Sequence, residues 1–189
     1  MRKIASFVVV FAAVLAQRSM AQASTEVLHF PANNRMVIAT ATLADGTNLQ
    51  IGVSRELTGP GGPVDQIGII IISPDGNVTF ARGTLPAGAF HYDATSASLD
   101  VDVADITFED PVIGDLPESG IISIDWEGTD VTRTAGSNVQ DQGNLTIIFS
   151  GVRTEVVADI TGTLFGAPLV APTGFLQALS QQVTVIMKN

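Results

Sequence analysis

Apolar and polar side chains alternate one by one in run after run of this chain. A period of two restricts such runs to extended strands with one face in a core and the other in water. Val37, Ala39, Ala41 and Leu43 share one face, against Ile38, Thr40 and Thr42 on the other. Leu49, Ile51 and Val53 repeat the pattern, as do Leu99, Val101 and Val103, then Ile122, Ile124 and Trp126, and finally Val183, Val185 and Met187. Trp126 is in phase with Ile122 and Ile124, so it is expected in the core, where its indole N–H needs an acceptor. The run Ile67 to Ile72 is apolar on both faces apart from Gly68, which predicts an interior strand covered on both sides.

Turn chemistry separates these runs. Asp45-Gly46 and Asp75-Gly76 fall between strand candidates. Glycine's tolerance of positive φ there favours primed two-residue hairpin turns. Gly59-Pro60-Gly61-Gly62-Pro63 can only be a loop, and Gly166-Ala167-Pro168 with Ala171-Pro172-Thr173-Gly174 marks another irregular connection. One segment fits two states: Thr173 could cap a helix over Phe175 to Gln181, with Leu176 and Leu179 three apart, or the same residues form a strand. About nine or ten strands, spaced by about 8–12 residues, predict an antiparallel all-β sandwich, with a β-barrel as the alternative. No shift in composition divides residues 24–189, which are read as a single all-β domain.

Residues 1–23 have a different character. Arg2-Lys3 precedes an apolar run from Ile4 to Ala16, and the segment ends in Ala21-Gln22-Ala23. A basic start, a short apolar run and a small-residue site describe a secretory signal peptide. The run is shorter than the roughly 20 residues that span a bilayer, so no membrane span is expected after cleavage. The protein is expected to be secreted or periplasmic. There is no cysteine, which excludes thiol catalysis, disulfide scaffolds and the common structural zinc sites. Its absence from an exported chain suits a bacterial envelope or medium.

Charge narrows the partners. Nine Lys+Arg stand against 19 Asp+Glu, a net of -10; loss of Arg2, Lys3 and Arg18 with the leader leaves 6 bases and a net of -13. Nucleic acid is disfavoured, because phosphate binding needs clustered bases. Between Gly83 and Thr132 there is no Lys or Arg, yet 11 of the 19 acids lie there. Glu109, Asp110, Asp115 and Glu118 fall in a Pro- and Gly-punctuated loop. Converging carboxylates relieve their repulsion by holding a hard cation, so these four are the candidate calcium ligands and calcium the one candidate cofactor. No EF-hand pattern accompanies them. Asp100, Asp102, Asp125 and Glu127 alternate toward solvent, where charge simply keeps a sheet face soluble.

Material for catalysis is thin. The only histidines are His29 and His91, no G-x-S-x-G elbow is present, and no catalytic residue is assigned. Glycoside hydrolysis needs two carboxylates, which so acidic a chain offers without specificity. Phe90-His91-Tyr92 is the only local aromatic cluster that could face a sugar. The expected function is therefore a secreted, non-enzymatic β-sandwich module with a binding or extracellular structural role. A carboxylate-based glycan hydrolase and a calcium-stabilised adhesin-like domain are the alternatives. Expected partners are a cell-surface or glycan ligand, or a second copy joined through the strand at residues 25–30.

Overall fold

The computed structural model describes residues 25–57 and 63–187. Residues 1–23, read as a secretory leader, and most of the Gly59 to Pro63 loop lie outside them. Eleven strands form: β1 (Glu26–Thr42), β2 (Asn48–Glu56), β3 (Val64–Ile72), β4 (Val78–Thr84), β5 (Phe90–Tyr92), β6 (Ser96–Asp102), β7 (Thr107–Phe108), β8 (Ile121–Gln142), β9 (Leu145–Leu164), β10 (Ala167–Pro168) and β11 (Val170–Met187). A single 3-10 turn covers Val103–Asp105. The strands pair antiparallel in one sheet, ordered β5-β6-β8-β9-β11-β1-β2-β3-β4-β7, with β10 beside β9. β5 and β7 remain at its two ends, so the barrel does not close and the all-β, sandwich-like arrangement holds.

The two layers are halves of one curled sheet. Trp126 on β8 donates its indole N–H to the Ile38 carbonyl on β1 at 3.0 Å, although β9 and β11 separate those strands along the sheet. Arg55 on β2 likewise reaches the Phe90 carbonyl on β5 at 2.8 Å. Between the halves lie Val37, Ile51, Ile67, Ile69, Leu99, Ile122, Ile124, Trp126 and Leu176, all buried. A row of small residues crosses the four central strands. Gly128, Ala158, Gly174 and Ala39 are neighbours in register across β8, β9, β11 and β1. A Cβ on Gly174 would press on the Ile38 carbonyl and on Ile160.

Two expectations need correction, and one open reading is decided. The two Asp-Gly turns are five-residue loops: Gly46 N–H bonds the Leu43 carbonyl at 3.0 Å and Gly76 N–H the Ser73 carbonyl at 2.9 Å. Each glycine then follows its turn at a φ near +90°, and the aspartate before it accepts a local hydrogen bond, from Thr47 N–H or the Ser73 hydroxyl. The strand Val64–Ile72 is interior in the sheet but covered on one face only: Ile67 and Ile69 are buried, while Ile72 is 41% exposed. Its outer apolar side chains meet Phe80 and Val78 on β4 rather than a second layer. Finally, residues 175–181 are strand, held on one side by β9 and on the other by β1.

Four strands are far longer than the core. β8, β9, β11 and β1 have 22, 20, 18 and 17 residues. About half of each lines the core, and the rest continues as a four-stranded extension ordered β8-β9-β11-β1. At about 3.3 Å per residue, the stretch of β8 after Gly128 reaches about 45 Å.

Candidate functional site

The extension changes polarity. Over the core, even-numbered residues of β9 and β11 point inward, as Val156, Ile160 and Leu176 do. Farther out, the same side of the sheet carries Ser150, Ser180, Gln182, Thr184, Pro31 and His29. His29 Nδ1 lies 2.9 Å from the Thr184 hydroxyl, in a shallow depression of about 450 Å³ lined by His29, Pro31, Ser150, Ser180 and Gln182. The opposite side turns apolar, in cross-strand rows Phe30–Val183–Phe149 and Leu28–Val185–Ile147. On β1 and β11 the apolar side thus crosses the sheet at the boundary between core and extension, whereas on β8 Val131, Ala135 and Val139 stay on the side of the core stripe.

The edges of the extension differ. Of residues 25–30, read as a strand for pairing with a second copy, 26–30 are paired on one side with residues 183–187 of β11, and the ladder to β2 on the other side begins at Asn34. β1 also carries Pro31, which has no N–H to offer another strand. β8 is covered on its outer side by β6 through residues 121–127, and the Thr95 carbonyl takes the Gly128 N–H at 2.8 Å. Beyond that point, residues 130–142 pair with β9 on one side, and no described strand lies on the other.

Seven of the eleven acids between Gly83 and Thr132 lie in two places. Asp100, Asp125 and Glu127 are exposed on the outer face of β6 and β8, where Asp100 faces Ser123 and Asp125 faces Ser98 and Thr161. Glu109, Asp110, Asp115 and Glu118 are exposed along the loop between β7 and β8. That loop is tied to β4 by its backbone: Glu109 N–H bonds the Arg82 carbonyl at 2.8 Å, and Phe80 and Ile113 exchange bonds at 2.8 and 2.9 Å. Among the described residues, no three His, Asp or Glu side chains gather closely enough to hold a metal ion. The melting temperature in excess calcium and in chelator tests the four loop carboxylates as ligands, and equal values would count against them. A rise with calcium would assign them that role, since a bound ion stabilises the folded state by mass action.

Asp102 has a structural task. Its carboxylate accepts the Ala104 and Gly120 N–H groups, each at 3.0 Å, closing the base of the excursion between β6 and β8. Those two bonds hold its pKa below the ordinary carboxylate value. A lowered folded pKa contributes stability above the unfolded pKa, and that contribution is lost as pH falls through the folded value. Asp102→Ala should therefore melt below wild type near neutrality, with the gap narrowing below about pH 4. A gap constant from pH 7 to pH 2.5 would count against this role.

The aromatic cluster is internal rather than a sugar platform. Phe90 is buried, and Tyr92 is half-buried beneath the Arg35 guanidinium, 5.0 Å from its ring centre. Arg55 sits 5.3 Å from the Phe90 ring and forms a two-pronged pair with Asp65 at 2.5 and 2.6 Å. That pair raises the Arg55 pKa, while burial raises that of Tyr92. Two-pronged pairing is the strong form of such contacts. Arg35, Arg55 and Asp65 are cross-strand neighbours on β1, β2 and β3. They cap the end of the core, and none was singled out in the sequence. The signal was there: each charge is in phase with a buried stripe, Arg55 with Ile51 and Val53, Asp65 with Ile67 and Ile69.

No protein-family model, curated protein or solved structure matches this chain.

Proposed function

We propose that this protein is an exported, non-catalytic module with a structural or binding role outside the cytoplasm, and that its working surface is the four-stranded extension. The observation that carries this reading is the length of β8, β9, β11 and β1, which continue well past the core they help to enclose. A core of this kind needs only half of each strand, and long open strands are templates for further pairing. Support also comes from the side chains available for chemistry. Among the described residues, His29 and His91 lie on different strands, and the acids of the β7–β8 loop do not gather with histidine or one another as a metal group. Purified residues 24–189 should show no turnover against a panel of glycan, ester and peptide substrates. Turnover abolished by changing one carboxylate would overturn the reading in favour of a hydrolase.

A further inference from the structure

We propose that β8 is the site at which two copies of this chain join, edge to edge and antiparallel, in a register centred on Ser137. This deepens the reading of the extension as the working surface and rests on it. An open strand edge invites another strand, and proteins usually blunt it with lysine, proline or an inward charge. From Thr129 to Gln142 the edge has no Lys and no Pro, and five of its residues are Thr or Val, which favour strands. Its side chains are almost all exposed.

Charge selects both the partner and the register. Within residues 131–142 the charged groups are Arg133 and Asp141. They lie on the same side of the sheet, and neither takes part in the ion pairs of the described residues, which are Arg55–Asp65 and Arg153–Glu155. When an antiparallel strand meets its own copy across a twofold axis, one residue stands opposite itself and the others pair symmetrically about it. Placing Ser137 at the axis sets Arg133 opposite Asp141 of the other copy, twice. No other symmetric register does so. The same register pairs Ala135 with Val139 and Thr134 with Gln140, and puts no like charges opposite each other. Centring on Arg133 or on Asp141 would instead oppose identical charges. The product is a continuous eight-stranded sheet formed from two extensions.

The native chain has no cysteine, so single introduced thiols report the register directly. Directly opposed strand residues have Cα atoms about 4.5–5.5 Å apart, within disulfide range. Ser137→Cys in residues 24–189 should oxidise to a covalent dimer, while Ala94→Cys, in the exposed β5–β6 turn, should not. By sedimentation, Arg133→Asp should weaken self-association at least about tenfold, and Arg133→Asp with Asp141→Arg should restore it. Circular dichroism checks that each variant is folded, and the double exchange answers any loss caused by misfolding. Wild type that stays monomeric at high concentration, or Ser137→Cys that cross-links no better than Ala94→Cys, overturns the pairing. A monomer without turnover leaves the non-catalytic reading standing, whereas a monomer with single-residue-dependent turnover defeats both.

Discussion

Trp126→Ala should destabilise the protein by about 3–5 kcal/mol, the usual range for removing a large buried aromatic side chain. Trp126 is 1% exposed and lies where the two halves of the sheet meet. It stands opposite Ile160 on β9, and its N–H holds the Ile38 carbonyl of the opposite half. Alanine would leave a cavity at the point of closest approach, and the curled backbone around it can collapse only by changing its curvature. Trp126→Phe separates the two contributions. It keeps most of the volume but loses the donor, so its cost should fall nearer about 1–3 kcal/mol. Because this is the only tryptophan, urea unfolding of both variants must be followed by circular dichroism. A loss below about 1 kcal/mol for alanine would mean that the halves do not depend on this contact.

Gly162→Ala should cost a comparable amount. Gly162 has φ +148°, and a Cβ there would run into the Ser123 carbonyl and lie 2.9 Å from the Ile124 Cα. Both obstacles are backbone of β8, so neither can turn aside as a flexible side chain would. Backbone strain of about 1–3 kcal/mol adds to overpacking of about 1–3 kcal/mol. Gly136→Ala is the matched control on the extension, where no heavy atom lies within 4 Å of the new Cβ. It should leave the melting temperature within a degree or two. Equal melting temperatures for the two variants would show that β8 and β9 can separate locally at Gly162.

The strand pattern and the core were legible because alternation reports burial directly. Leu99, Val101, Ile122, Ile124 and Trp126 alternate and are buried, and Asp100, Asp125 and Glu127 between them face solvent. Legibility failed where that phase changes. Leu176 points into the core, whereas Leu179 and Val183 lie on the opposite face of the same strand. A pair of leucines three apart then imitates a helix, although each is in a correct strand position. The same change hid the extension, since Val183, Val185 and Met187 look like another core strand. Ile70 and Ile72 misled differently: an apolar run says nothing about whether a second layer exists to cover it. The row formed by Arg35, Arg55 and Asp65 needed knowledge of register, because only strand pairing brings positions so far apart in sequence into contact. The four loop carboxylates were visible as a composition, but the backbone bonds that tie their loop to β4 were not.

The continuity of the long strands also decides how the protein bears force. β8, β9, β11 and β1 each run as one strand from the tip of the extension into the core, with a register shift in β8 between Gly128 and Asp130. Their ladder hydrogen bonds stand perpendicular to the strands. Tension applied along one strand from the tip therefore loads many of those bonds at once, in shear, rather than peeling them singly. Rupture of β8 would require it to slide past its neighbours and to break the Trp126–Ile38 hydrogen bond. Traction across the strands would meet far less resistance, so the molecule should be strong along the extension and weak across it.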